Sequence, residues 1–213
     1  MNLENIRNRV KLWNKELPRV KMYYAVKSNP DIQIVKELIG LGSHFDCASQ
    51  QEIKQVLELG SSPDKIIYAN PCKTEQQILN AKNKGVKLMT FDCNEELNRI
   101  HKVYPEAEVV LRIAVVHTDS AYPMGKKFGA PQYQWESILD CCKALNMKLR
   151  GVSFHVGSGG CSFYAYKEAI VNTKLVFEMA DKKKMEPLTI VDIGGGFSMD
   201  SKNASFNFDK IAP

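Results

Sequence analysis

Tyr23-Tyr24-Ala25-Val26-Lys27-Ser28-Asn29-Pro30 decides how the rest of the chain is read. A run of strand-forming residues closes on one lysine, and Ser-Asn-Pro then breaks the strand. An amine at the C-terminal end of a strand points into the mouth of an α/β fold, where it could form a Schiff base with an aldehyde cofactor. On this segment alone a solvated lysine capping a strand is the blander reading. The choice depends on what lies beyond Pro30.

Working outward, the hydrophobic period alternates along the chain. Short β-rich runs are expected at 22–26, 43–47, 65–69, 86–91, 108–115, 149–155 and 188–193, with helical patterns at 3–17, 32–41, 51–59, 75–84, 95–103, 133–145 and 164–182. Ile53, Val56 and Leu57 fall on one face of their helix, as a helix covering a sheet requires. Gly60, Gly85 and Asn146 stand where helices should stop. Continuously apolar strands, each followed by a helix, imply parallel pairing with right-handed crossovers. The fold class is therefore α/β, and the regular βα repeat favours a (β/α)8 TIM-type barrel. A doubly wound dinucleotide fold would want GxGxxG at the first turn, which here reads Lys27-Ser28-Asn29-Pro30. About seven βα units can be counted. The stretch after Gly196 offers at most a short helix near 206–211, and the chain starts directly in a helix. The expectation is one domain over residues 1–213, a barrel cut at both ends, with the edges of strands one and seven exposed and stability marginal.

Composition narrows the function. The 213 residues are 44% hydrophobic, enough for a substantial core. Formal net charge is +5, yet 29 basic and 24 acidic residues interleave, and the longest basic run, Lys182-Lys183-Lys184, reads as a solvated helix end. No basic stripe with stacking aromatics suggests nucleic acid, and no apolar run approaches a membrane span. The N-terminus has no apolar signal core, and the six cysteines form no CxxC pair. Free thiols fit a reducing compartment, so a cytoplasmic protein without a metal site is expected.

Chemistry in a parallel barrel gathers just after the strands. Those positions hold Lys27, Asp46, Asn70-Pro71-Cys72-Lys73, Asp92, Arg112, His155-Val156-Gly157-Ser158-Gly159-Gly160 and Gly194-Gly195-Gly196, while strand interiors read as apolar. Glycines after strand seven let backbone N–H groups approach a phosphate, and Ser158 adds a hydroxyl beside them. His155 could stack on an aromatic ring or be a satisfied core histidine. Asp46 could tune Lys27 or cap a helix. Arg112, a guanidinium in an apolar strand, demands an anionic or polar partner such as Asp46. A Schiff-base lysine, a stacking histidine and a glycine phosphate cup together describe a pyridoxal 5'-phosphate site.

The strings Tyr24–Asn29, Phe45-Asp46-Cys47-Ala48-Ser49, Tyr68–Lys73, Phe154–Gly159 and Val191–Phe197 resemble eukaryotic ornithine decarboxylase, a pyridoxal phosphate enzyme of the alanine-racemase-like barrel fold, over nearly the whole chain. The resemblance implies that Lys27, next to Ala25, carries the cofactor and that His155 stacks on its ring. It implies that Ser158 and Gly194, Gly195 and Gly196 bind the phosphate, with Asp46, Glu52 and Arg112 as a polar shell beneath. Lys127 matches a family lysine that reaches the partner subunit. The implied reaction converts L-ornithine to putrescine and carbon dioxide, and the implied partners are a second subunit and antizyme. The family's Glu-Pro-Gly-Arg motif on strand eight and its C-terminal β-domain, which holds substrate-binding groups, are absent from this sequence. These residues alone are therefore expected to be poorly active. The alternative implied by the same resemblance is a non-catalytic, antizyme-inhibitor-like binding protein.

Overall fold

The structure, a computed structural model, describes residues 2–115, 128–157 and 163–195. Helix α1 (Leu3–Glu16) leads into seven strands with helices between them. The order is β1 (Tyr23–Ala25), α2 (Ile32–Gly40), β2 (His44–Cys47), α3 (Gln50–Glu58), β3 (Ile66–Tyr68), α4 (Glu75–Asn83) and β4 (Leu88–Phe91). Then come α5 (Asn94–Val103), β5 (Glu108–Arg112), α6 (Trp135–Ala144), β6 (Lys148–Ser153), α7 (Phe163–Lys182) and β7 (Ile190–Asp192). All six pairings are parallel, in the order β1-β2-β3-β4-β5-β6-β7. This is the α/β, TIM-type architecture expected, an incomplete barrel with β1 and β7 at the edges among the described residues.

Local chemistry explains where the elements begin. Asp31, Ser49 and Thr74 cap α2, α3 and α4 through their side-chain oxygens, and Thr74 with Gln77 forms a reciprocal capping box. Strands are shorter than the apolar runs suggest. β1 stops at Ala25 because Val26–Ser28 winds into a 3-10 turn, which places Lys27 just past the strand. β5 ends at Arg112 because Ile113 instead bridges to Ala130. The expected helix at 206–211 lies outside the described residues.

The two faces of the sheet differ in character. Phe45, Cys47, Tyr68, Met89, Phe91, Leu111 and Val152 face the helices and are buried with Ile53, Val56, Ile78, Leu97 and Leu139 in one core. Each such side chain contributes about 1.5–3 kcal/mol by leaving water. The residues between them in register face the barrel lumen. Ala25 pairs with Asp46 and Asp46 with Ile67, while Arg112 pairs with Ser153 and Ser153 with Asp192. The lumen side of the strands thus carries polar groups at their C-terminal halves, where Ser153 and Asp192 join Asp46 and Arg112.

Two lysines add ties between elements. Lys182 and Lys184 are exposed, while between them Lys183 Nζ lies 2.5 Å from Asp140 and 3.7 Å from Glu136, tying the end of α7 to α6. Lys73 is wholly buried. Its Nζ meets Asn70 O at 2.9 Å, Thr90 O at 2.7 Å and Glu96 at 2.9 Å, and the Glu96 carboxylate also pairs with Arg99. Among the described residues no helix is long and apolar enough to cross a membrane, and no cluster of ligating side chains could hold a metal ion.

Candidate active site

One end of the sheet collects Lys27, Asp46, Arg112, His155, Asp192 and the Gly194–Gly195 turn. Lys27 is exposed at the mouth. Asp46 stands in the lumen row beside Ala25, and its Oδ1 is buried without a hydrogen-bond partner among the described residues. Burial pushes the Asp46 carboxyl up to about 6; Lys27 pulls it back, Asp192 and Glu52 push it up further, and Arg112 pulls it down. Asp46 is not a helix cap, because Ser49 caps α3. Glu52 faces the same strand end, its Oε2 accepting the Ala48 N–H at 2.5 Å.

Arg112 closes β5. Burial lowers its guanidinium, and the carboxylates of Asp92, Asp192 and Asp46 oppose that in descending order. Asp92 thus acts on the Arg112 guanidinium ahead of Asp46, the partner expected from the sequence, and no ion pair joins Arg112 to Asp46 among the described residues. The guanidinium also lies 5.1 Å from the centre of the Phe128 ring.

His155 follows β6 by two residues. Its Nδ1 accepts the Gly157 N–H at 2.9 Å, which leaves the ring proton for Nε2. Burial drives the imidazole down to about 4, with Arg112 and Lys27 adding to the shift, so the ring is neutral at pH 7. Asp192 ends β7 and accepts the Gly194 N–H at 2.9 Å through Oδ1. Gly194 has φ +65°, and a Cβ there would lie 2.3 Å from Phe154 O. A Cβ at Gly195 would reach within 3.4 Å of His155 Nε2, and the Tyr166 hydroxyl from α7 donates to Gly195 O at 2.9 Å. The turn is thus a bare-backbone cradle against His155, pinned from both sides.

The structure brings together Lys27, Ala25, Asp46, Arg112, His155, Gly194 and Gly195. Ser158, Gly196 and Lys127 lie outside the described residues. Sequence reasoning missed Ser153, Asp192 and Tyr166. Asp192 carried the signal that singled out Arg112, a charge between apolar strand residues. Ser153, whose buried Oγ is also without a partner among the described residues, is too small and common a residue to stand out. Tyr166 gave no signal, since its contact depends on how α7 returns over the sheet.

The orphaned Asp46 Oδ1 and Ser153 Oγ, the glycine cradle and the exposed Lys27 give this sheet end unmet polar capacity among the described residues. Residues 3–213 match the family described as pyridoxal-dependent decarboxylase, pyridoxal binding domain. The chain belongs to this family. It is 49% identical over 200 residues to a probable ornithine decarboxylase of Dictyostelium discoideum, covering 93% of this chain and 43% of that protein. It is 45% identical over 198 residues to antizyme inhibitor 2 of Xenopus laevis, covering 93% and 43%. The structure of a Paramecium bursaria Chlorella virus arginine decarboxylase bound to agmatine superposes with a TM-score of 0.91 at 36% identity, over 97% of this chain and 55% of that one. The chain thus spans roughly half the length of these relatives. Within the family its cofactor class is pyridoxal phosphate, as the strand-end residues suggested.

Proposed function

We propose that residues 1–213 are the cofactor-binding barrel domain of an ornithine decarboxylase, which converts L-ornithine to putrescine and carbon dioxide. The observation that carries the reading is the meeting of Lys27, Asp46, Arg112, His155 and the Gly194–Gly195 cradle at one sheet end. These residues fit pyridoxal 5'-phosphate. Lys27 would offer its amine to the cofactor's aldehyde, and the backbone of Gly194 and Gly195, with Gly196 and Ser158 as the family resemblance implies, would hold the phosphate. When bound, the cofactor supplies an electron sink for the pair left on carbon as carbon dioxide departs.

The chain's own groups set the conditions. Neutral His155 presents a flat, uncharged ring that does not compete for anions. Asp46 lies between the charges of Lys27 and Arg112 in a partly buried setting, where a charge acts more strongly than in water. Lys27 stands exposed, so an incoming substrate amine can reach the position it occupies. Ornithine is favoured as substrate by the 49% identity to the Dictyostelium protein and 44% to the ornithine decarboxylase of Saccharomyces cerevisiae.

A homodimer, a cytoplasmic location and antizyme as a partner belong to the same reading. A non-catalytic antizyme-inhibitor-like protein is the second reading, favoured by the 45% identity to the Xenopus protein. Retention of Lys27 together with Asp46, Arg112 and His155 supports the enzyme instead. The purified protein mixed with pyridoxal phosphate should develop a borohydride-reducible absorbance that Lys27→Ala abolishes. Unchanged labelling in that variant overturns the assignment of Lys27, and an unlabelled parent favours the binding-protein reading.

A further inference from the structure

Among the described residues, Asp92 is a strand-end carboxylate to which the proposed site gives no task. It follows β4, and its Oδ2 accepts the Gly129 N–H at 2.9 Å. Gly129 belongs to the segment that brings the chain back across the end of β5. There Ala130 N–H donates to Arg112 O at 2.8 Å, Ala114 N–H donates to Ala130 O at 3.0 Å, and Ile113 bridges to Ala130. Gly129 has φ +99°, and a Cβ would lie 2.6 Å from Ala114 N and 2.7 Å from Ile113 O, so a side chain cannot take this place. The residue before it is Phe128, whose ring sits 5.1 Å from the Arg112 guanidinium.

We propose that Asp92 is a positioning residue for the cofactor site. By holding the Gly129 amide it fixes the Phe128–Ala130 segment across the end of β5 and so seats the Phe128 ring against Arg112. The inference rests on the cofactor reading above and supplies what holds Arg112 in place within it. Charge acts in the same sense, because Asp92 is the foremost of the carboxylates that act on Arg112. A purely structural role is the competing account: Asp92 stands next to Cys93, the N-cap of α5, where a negative charge favours the helix dipole. That role would alter stability without reference to Arg112.

The test measures pyridoxal phosphate affinity by absorbance and by borohydride labelling of Lys27, with thermal unfolding in parallel. Asp92→Asn, Asp92→Ala and Phe128→Leu are compared in the parent and in an Arg112→Gln background. Asp92→Ala and Phe128→Leu should each weaken cofactor binding about tenfold, as expected for losing a charge-assisted hydrogen bond or a partly desolvated cation–π contact. Asp92→Asn keeps an oxygen for the Gly129 amide and should stay within about threefold of the parent. In the Arg112→Gln background none should cost more than about twofold, since coupled groups do not add. Parental affinity in Asp92→Ala overturns the proposal, and so do losses that persist undiminished without Arg112. If Asp92→Ala fails to fold, Phe128→Leu in the two backgrounds decides by the same criteria. An unlabelled parent overturns the cofactor reading and this inference together; a labelled parent with unaffected variants overturns this inference alone.

Discussion

Asp46 and His155 should make opposite contributions to the pH dependence of stability, and removing either should expose the other. The Asp46 carboxyl is raised from 3.8 to about 6 in the fold, mainly by burial. Between those values the native state holds a proton that the unfolded chain has released, so stability falls as pH rises. At pH 7 the group costs about 3 kcal/mol, and by pH 4 about 0.5 kcal/mol. His155 is lowered from 6.5 to about 4, again mainly by burial. Between those values the unfolded chain binds a proton that the native ring refuses, so stability falls as pH drops, by about 3 kcal/mol from pH 7 to pH 4. In the cofactor-free protein the two slopes nearly cancel. Asp46→Asn should be about 3 kcal/mol more stable than the parent at pH 7 and lose that advantage by pH 4, giving a steep acid limb. His155→Gln should show the reverse, gaining stability on acidification. Urea unfolding of the cofactor-free protein and both variants from pH 4 to 7.5 measures this directly. Parallel pH profiles for parent and Asp46→Asn would refute the placement of Asp46 as a buried, ligand-hungry carboxyl. The same variant should bind pyridoxal phosphate more weakly, separating a gain in stability from a loss of function.

Two further perturbations address the framework. Lys73→Met leaves the buried Glu96 carboxylate without its buried partner and should cost about 3–5 kcal/mol in urea unfolding, whereas Lys73→Met/Glu96→Leu should recover at least half of that loss; additive losses would show that the pair is not coupled. Gly194→Ala forces a side chain into φ +65° and a Cβ to 2.3 Å from Phe154 O, so the turn must move at a cost of about 2 kcal/mol or more. Thermal unfolding and cofactor affinity should both fall, and parental values for both would mean that β6 and this turn do not approach so closely.

The architecture was legible because its signal is repeated. Seven alternations of apolar strand and amphipathic helix leave few topologies, and caps such as Ser49 and Thr74 mark the helix starts in the sequence itself. Lys27 was legible for a local reason: Ser-Asn-Pro had to end the strand beside it. Strand ends elsewhere were set by partners the sequence does not display in order. β5 stops at Arg112 because Ala130, eighteen residues on, takes over its hydrogen bonds. Lys73 stands in sequence only as one of the polar residues after strand three, yet its burial depends on Glu96 and on the Thr90 carbonyl, both distant in sequence. Asp192 shares the pattern of Arg112, a charge among apolar strand residues, but its role depends on the Gly194 N–H that folds back onto it, which the sequence does not display.

What separates stability from function in this chain is the two-sidedness of its strands. Helix-facing positions from Phe45 to Val152 are apolar and buried, and they would serve any barrel. The opposite row places Asp46, Arg112, Ser153 and Asp192 in the lumen, where burial raises the carboxyls, lowers the guanidinium and leaves Asp46 Oδ1 and Ser153 Oγ without a partner among the described residues. Such groups cost stability in the empty protein and become favourable only when something polar meets them. A parallel strand of three to six residues has room for one or two lumen positions near its C-terminal end. The chemistry is consequently spread one residue per strand, and each residue taken singly admits a bland explanation. Their common face, set by register rather than by sequence proximity, makes Lys27 part of a site.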